Sequence, residues 1–356
     1  MIITRTPFRI SFFGGGTDYP SWFRHFGGAV LATTIDKYSY LLCRHLPPFF
    51  DFRYSIVYSH NERRRTIDEI AHPAVRAVLG YLKFDRSLHL AHHGDLPARS
   101  GMGSSSAFTV GLLHTLSALE GRMTPKAELA RQAIHVEQQL LKEHVGCQDQ
   151  ILTAYGGLNH ITFAPSGEFT VRPVTIARGR LDELSNHLML FYTGVQRTAE
   201  AMTASYVPDL NEQEEQLRSI GDMTEEGMKI LGSNRDLREF GRLLHDAWQA
   251  KKAISTAISN AHVDGIYREA RSTGAIGGKL LGAGGGGFML LFVPPERQAL
   301  VRERLARFVH VPFQFEFGGS QIVFADREED YSPYDKAERL TGLADFKELD
   351  DLTEAV

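Results

Sequence analysis

The stretch Leu96-Pro97-Ala98-Arg99-Ser100-Gly101-Met102-Gly103-Ser104-Ser105-Ser106-Ala107-Phe108 decides how this chain is read. Its glycines lead into a serine run and then into a helical apolar pattern, with Phe108, Leu112, Leu116 and Leu119 on one face and Gly121 closing it. Glycine lets a backbone approach an anion closely, and the free N–H groups and positive dipole end of the following helix bind its charge. A serine in the first turn adds a hydroxyl for a phosphate oxygen or its Mg²⁺. Taken singly, the segment also reads as a Gly/Ser connector capped by a serine. Two further glycine-rich segments shift the reading towards phosphate: PFRISFFGGGTDYP from Pro7 to Pro20 and KLLGAGGGGF from Lys279 to Phe288.

Composition permits a large enzyme. With 356 residues and 43% hydrophobic content, the chain can bury a sizeable core, and its length suggests two domains. A net charge of -4 lacks the basic footprint of a nucleic-acid binder. The run Arg63-Arg64-Arg65 reads as a solvated turn between a strand and a helix. Cys43 and Cys147 are the only cysteines, which gives no disulfide framework or zinc spacing and fits a reducing compartment. Arg5 and Arg9 interrupt the first apolar residues, and no run is long enough to cross a bilayer, so the expected location is cytoplasmic, without a membrane partner.

The first half has an α+β pattern. Strands are expected over Ile2 to Phe13, Ala29 to Cys43, Tyr54 to Tyr58, Leu88 to His92, Leu158 to Phe163 and Phe169 to Val174. Helices are expected over Ser104 to Glu120 and Lys126 to Lys142, the second opened by Thr124-Pro125. After a strand at Leu188 to Tyr192, the second half is mainly helical from about Arg197 to Ala261. It ends in a strand at Phe288 to Val293, a helix near Pro295 to Val309, short strands at Pro312 to Phe317 and Ile322 to Phe324, and an acidic tail after Asp326. The change of texture places a domain boundary near Ala177 to Asn186.

The three glycine segments, in this order, resemble the signature motifs of the GHMP kinase superfamily, which phosphorylates galactose, homoserine, mevalonate and related small alcohols. Thr4 to Pro20, Gly28 to Tyr38, Val145 to Ile161 and Ile276 to Pro294 most resemble the D-glycero-D-manno-heptose 7-phosphate kinases within it. The resemblance implies an α+β fold of two domains with the active site between them. The N-terminal ATP-binding domain, 1–182, would be like the second domain of ribosomal protein S5, and the C-terminal domain, 183–356, would be ferredoxin-like and carry the acidic tail. ATP and Mg²⁺ are the implied cofactors, and a small sugar phosphate is the implied acceptor. A homodimer is left open.

Residue by residue, the resemblance sets Pro97, Arg99, Gly101, Met102, Gly103, Ser104, Ser105 and Ser106 around the nucleotide. Ser105 matches the serine that reaches Mg²⁺ in mevalonate kinases, and Glu137 matches the family's Mg²⁺-coordinating glutamate. Without the resemblance, Glu137 reads equally as a boundary residue paired with a lysine, since a carboxylate on an apolar helix face needs a cation or hydrogen bonds. Asp149 matches the aspartate beside the acceptor hydroxyl in galactokinases, where a carboxylate can take the hydroxyl proton. From the residues alone it is a first-turn aspartate of a short helix. Arg9 matches the basic residue near that aspartate, and its alternative is a surface arginine at a strand end.

Asp18 matches a sugar-binding aspartate, or else stabilises the turn beside Pro20. Gly15 and Gly16 stand where galactokinases have Glu-His, which removes two sugar contacts and leaves room for a bulkier acceptor. Gly284 and Gly285, within Gly282 to Gly287, would wall the cleft near phosphates and acceptor, or form a tight loop between strands. The implied reaction is phosphorylation of the anomeric hydroxyl of heptose 7-phosphate to the 1,7-bisphosphate. The alternatives are a fucokinase-like or other sugar-1-kinase, or a weakly catalytic sugar and ATP sensor. Retention of Arg9, Ser105, Glu137 and Asp149 together favours turnover. His92-His93 lacks the spacing of a metal site. Lys251-Lys252 and Arg197 read equally as sugar-phosphate contacts and as a solvated face.

Overall fold

The structure, a computed structural model, describes residues 1–195, 213–327, 329 and 331. The expected helical residues 197–212, with Arg197, and the tail beyond 331 lie outside the described residues.

In chain order the elements of the first half are β1 (Ile2–Phe13), α1 (Pro20–Phe26), β2 (Gly28–His45), β3 (Tyr54–Val57), β4 (Asn61–Arg64), α2 (Pro73–Tyr81) and β5 (Leu88–Gly94). They continue with α3 (Ser104–Leu119), α4 (Lys126–His135), a π-turn (Val136–Leu140), α5 (Gln148–Tyr155), β6 (Asn159–Phe163), β7 (Phe169–Pro173) and α6 (Arg178–Asn186). The second half contributes β8 (Leu188–Tyr192), α7 (Glu214–Leu231), α8 (Arg238–Ile254), α9 (Ala261–Ser272), β9 (Gly277–Leu280), β10 (Phe288–Phe292), α10 (Gln298–Arg304), β11 (Val309–His310), β12 (Phe315–Glu316) and β13 (Gln321–Ala325).

The long strand β2 is the spine of the first sheet. It runs antiparallel to β1 over nearly its whole length, then gives its first residues to β6 and its last to β5. The path is β13-β1-β2-β5-β3-β4, with β3 and β5 parallel. β12 and β13, which the sequence groups with the second half, return to pair with β2 and β1. The second sheet is antiparallel in the order β11-β8-β10-β9.

Helix α3 is buried beyond its expected apolar face: Phe108, Leu112, Leu116 and Leu119 are covered, and so are Val110 and Leu113 on the other side. A helix apolar all round sits in the middle of a core, here between the first sheet and α4 and α5. The end of β1 locks the two halves together, since Phe12 and Phe13 meet the ring of Phe240 on α8 edge-on at 5.4 and 5.0 Å.

Several boundaries differ from expectation. Arg63 and Arg64 belong to strand β4, where cross-strand pairing with β3 overrides the turn reading. Helix α6 occupies Arg178–Asn186, where the sequence places the domain boundary. Helix α4 begins at Lys126 with Pro125 as N-cap and no side-chain cap, so Thr124 does not serve as one. It does not run on to Lys142 as a regular helix but widens into the π-turn, and Lys142 has a positive φ of 56°. Among the described residues, no helix is long and apolar enough to cross a membrane.

Candidate active site

The glycine segments converge on one cleft of about 270 Å³ between the two halves. Its first wall is built by the end of β1, the loop before α3, the π-turn and α5; its second wall comes from α8, β9 and the loop after it.

Arg9 lies on β1, and its guanidinium grips Asp149 with both prongs. Nε donates to Oδ1 and Nη2 to Oδ2, each at 2.6 Å, while Nη1 donates to the Gly101 carbonyl at 2.6 Å. The arginine side chain is 5% exposed and the aspartate 22%. The surface-arginine reading therefore fails, because the fork is fixed in the cleft wall. A carboxylate offers about four lone-pair sites, so Asp149 keeps capacity on each oxygen towards the cleft.

Asp18 is fully buried. Its Oδ1 accepts from Gly16 N–H at 3.0 Å and its Oδ2 from Gln148 N–H at 3.2 Å, so the carboxylate closes the glycine turn and caps α5 together. Burial pushes its pKa above the usual carboxylate value, with backbone hydrogen bonds opposing. Gly146 makes this packing possible, because a Cβ there would fall 1.9 Å from Asp18 Oδ2.

The loop before α3 is shaped by its glycines. Gly103 is left-handed (φ 72°), no side chain caps α3, and Ser104, Ser105 and Ser106 line the cleft with Arg99, Gly101 and Gly103. The first-turn N–H groups of α3 are thus open to an anion. Pro97 and Met102 stand apart from the lining: the Pro97 carbonyl accepts the Ser100 hydroxyl, and Met102 is core, its carbonyl accepting the Arg9 N–H. On the opposite wall Gly284 lines the cleft, whereas Gly285 is turned into its own loop, donating to Ile258 O and accepting from the Asn260 amide.

Glu137, on the π-turn, is completely buried without a lysine partner among the described residues. Ser106 donates to its Oε2 at 2.9 Å, Gln150 donates to the same oxygen, and Oε1 has no partner. Burial, with Glu143 adding repulsion, pushes its pKa up to about 8. A buried carboxylate with a bare oxygen beside a phosphate loop has the donor chemistry for Mg²⁺, which binds through one or two carboxylates plus substrate phosphates. Among the described residues no cluster of three or more His, Cys, Asp or Glu offers an all-protein metal cage. The hydroxyl that meets Glu137 is that of Ser106, one position beyond the expected Ser105, which is exposed on the cleft side.

Of four further lining residues, Ser11, Gln148 and Lys279 carried no specific signal in the sequence, and Lys251 only the even choice between a sugar-phosphate contact and a solvated face. Ser11 Oγ and Gln148 Oε1 are buried without partners, and a Cβ on Gly15 would meet nothing closer than Gln148 Nε2 at 3.7 Å and Ser11 Oγ at 3.8 Å. Polar atoms beside open space are positioned for the hydroxyls of a ligand. Lys251 and Lys279 enter from the second wall. Lys251 donates to the Gly282 carbonyl and Lys279 to the Phe12 carbonyl at 2.9 Å. Lys252, by contrast, turns away to Asp264 at 3.2 Å, so only Lys251 of this pair enters the cleft.

Comparison with known proteins agrees with this layout. The family description "GHMP kinases N terminal domain" matches residues 69–157, which include the phosphate loop, Glu137 and Asp149, and "GHMP kinases C terminal" matches residues 228–311, which include both lysines. The D-glycero-alpha-D-manno-heptose 7-phosphate kinase of Campylobacter jejuni is 29% identical over 83% of this chain and 91% of its own. The L-fucokinase/L-fucose-1-P guanylyltransferase of Bacteroides fragilis is also 29% identical, over 84% of this chain but 35% of that longer protein. Among solved structures, a D-glycero-D-manno-heptose 1-phosphate kinase from Bacteroides thetaiotaomicron superposes with a TM-score of 0.75 at 23% identity, covering 92% of this chain and all of that one. With both GHMP domains in order around a cleft holding a phosphate loop and a paired aspartate, the chain belongs to the GHMP kinases and is an ATP-dependent sugar kinase.

Proposed function

We propose that the chain transfers the γ-phosphate of ATP to the anomeric hydroxyl of D-glycero-D-manno-heptose 7-phosphate, giving the 1,7-bisphosphate. The observation that carries this reading is the doubly bonded Arg9–Asp149 pair, fixed between the phosphate loop and the glycine turn that holds Asp18. Asp149 takes the hydroxyl proton as the new bond to phosphorus forms, and Arg9 keeps its carboxylate aimed at the acceptor. The loop from Arg99 to Ser106 binds the nucleotide phosphates through backbone N–H groups and hydroxyls. Ser105 and Glu137 hold Mg²⁺, with Ser106 and Gln150 orienting the glutamate. Bound there, the ion would neutralise β- and γ-phosphate oxygens.

The acceptor sits over Gly15 and Gly16, with Asp18, Ser11 and Gln148 facing its hydroxyls. The open space beside Gly15 and the Campylobacter jejuni relative both favour a seven-carbon sugar phosphate. The domains divide near residue 182, the last strands of the second part returning to the first sheet. The fucokinase of Bacteroides fragilis, equally similar by identity, supports a fucose 1-kinase as the second reading.

An assay of ADP release across heptose 7-phosphate, unphosphorylated heptose, fucose, galactose and mannose separates the two. Heptose 7-phosphate should have much the highest kcat/KM. Equal efficiency with the free heptose, or a preference for fucose, would remove the heptose phosphate assignment.

A further inference from the structure

The cations of the cleft are not equivalent. Arg9 spends three of its five donors on Asp149 and the Gly101 carbonyl, and the carboxylate meets its charge. Lys251 and Lys279 carry three N–H donors each, and among the described residues each finds one acceptor, a backbone carbonyl. Neither forms an ion pair with any described residue. Lys279 is buried and Lys251 half-buried; sheltering an ammonium with one neutral hydrogen bond is costly, and such a site is normally balanced by an anion. Burial holds Lys251 down at about 8, with Arg9 adding to it, and Lys279 well below its ordinary value, with Lys251 and then Arg9 adding to it.

The position of Lys251 indicates which anion. Its ammonium is tied to Gly282, whose backbone packs so tightly on the phosphate loop that a Cβ on it would fall 2.4 Å from Gly101 Cα. Gly101 is the residue whose carbonyl Arg9 holds while gripping Asp149. Lys251 therefore stands at the seam between the phosphate loop, the third glycine segment and the paired aspartate. Lys279 reaches over from β9 to the end of β1 in the same cleft. A phosphate at the far end of a seven-carbon acceptor would lie away from this seam.

We propose that Lys251 and Lys279 form a cationic clamp, supplied by the second domain, for the phosphoryl group in transfer from ATP; this rests on the kinase reading of the cleft with Asp149 as proton acceptor. In the step they serve, the acceptor oxygen bonds to the γ-phosphorus, the bond from that phosphorus to the β–γ bridging oxygen breaks, and its electron pair leaves with ADP. The hydroxyl proton passes to Asp149. The lysines undergo no covalent change and neutralise the non-bridging oxygens of the γ-phosphate.

The test uses the full chain with Mg²⁺ and the variants Lys251→Met, Lys279→Met and Lys251→Arg. Each methionine variant should weaken a non-hydrolysable ATP analogue by about 10- to 100-fold, the scale of a charge-assisted hydrogen bond, while ADP binds within about twofold of the unaltered protein. Their kcat should fall about 10²- to 10³-fold. The pH profile gives a second readout that a packing role would not move. A lysine lowered to about 8 loses its charge as pH rises through that value, so kcat/KM for ATP should fall on the alkaline side near pH 8. The groups that set this limb are Arg9 on β1, which lowers it with burial, and Asp18 and Asp149, which raise it. Lys279 also faces the cleft, from β9. Lys251→Arg, whose guanidinium does not titrate in this range, should restore part of kcat and lack the limb.

Equal weakening of ADP and the ATP analogue would overturn the clamp. So would an unchanged analogue affinity combined with a raised KM for phosphorylated but not free heptose, which would assign the lysines to the acceptor's own phosphate. If the methionine variants melt early, the profile of Lys251→Arg decides, and an alkaline limb retained near 8 counts against the proposal. Failure of the unaltered chain on heptose 7-phosphate would break the acceptor assignment and leave the nucleotide-binding comparison standing.

Discussion

The two walls of the cleft handle charge in opposite ways. On the first, the buried titratable groups are each tied into a specific arrangement: Arg9 to Asp149, Asp18 to two backbone N–H groups, Glu137 to Ser106 and Gln150. On the second, two lysines each rest on one carbonyl and form no ion pair with a described residue. The first wall is preorganised before substrate arrives, while the second is completed only by an anion. Phosphoryl transfer needs both, since fixed geometry sets the attack and unspent positive charge meets the charge in transit.

The most damaging way to break the first wall is Asp149→Asn, which keeps the size of the side chain and removes the proton acceptor. Turnover should fall about 10²- to 10⁴-fold while nucleotide binding stays near normal, because the loop at Gly101 to Ser106 is untouched. Near-normal kcat in this variant would mean that positioning alone suffices and that Asp149 is a first-turn helix residue.

Glu137 sharpens the comparison next. Glu137→Gln removes the carboxylate, and Ser106→Ala removes the hydroxyl that orients it. Loss of such an orienting partner costs about 10- to 100-fold in metal affinity, so both variants should raise the Mg²⁺ needed for half-maximal rate. Their effects should fall short of additive if they serve one ion. Superimposable Mg²⁺ titrations for the two variants and the unaltered chain would reduce Glu137 to a buried structural acid.

Gly146→Ala tests how tightly the first wall is packed. The added Cβ would lie 1.9 Å from Asp18 Oδ2, so either α5 or the glycine turn must move. Overpacking of this kind costs about 1–3 kcal/mol, read as a lower denaturant midpoint. The acceptor KM should rise with it, because Asp18 and Gln148 shift together. An alanine variant with normal midpoint and normal acceptor KM would show that this wall tolerates displacement.

The walls also differed in how far the sequence disclosed them. Arg9, Asp18 and Asp149 were singled out by the family resemblance, while local order alone disclosed a strand feeding a glycine turn and glycines feeding a helix N-terminus. One buried face of α3 and the strand character of β2 follow from periodic apolar and alternating residues. Nothing comparable singled out Lys251, which occupies the last turn of an amphipathic helix beside an identical residue, or Lys279, which reads as the polar start of a glycine segment. Their direction is set by tertiary packing, where α8 and β9 meet the end of β1. The same holds for Ser106 over Ser105 at Glu137, because helix phase decides which hydroxyl points inward, and for β12 and β13, whose return to the first sheet is a long-range pairing. Gly146 carried a signal only in retrospect, since a glycine before an expected helix start is an ordinary connector until Asp18 is seen beneath it.

The smallest expected effect is also the cleanest control on the second wall. Lys252 adjoins Lys251 but leaves the helix on another side, pairing with Asp264 at 3.2 Å, the side chains 27% and 39% exposed, and lying 5.7 Å from the centroid of Trp248. Part-exposed pairs contribute about 0–1 kcal/mol, so Lys252→Ala should lower the denaturant midpoint slightly. It should leave the affinity difference between ADP and an ATP analogue intact. If removing Lys252 instead narrowed that difference as Lys251→Met is expected to, the effect of Lys251 would be one of general positive charge on α8. A flat response at 252 and a steep one at 251 would locate the unspent charge in one ammonium, placed by helix phase.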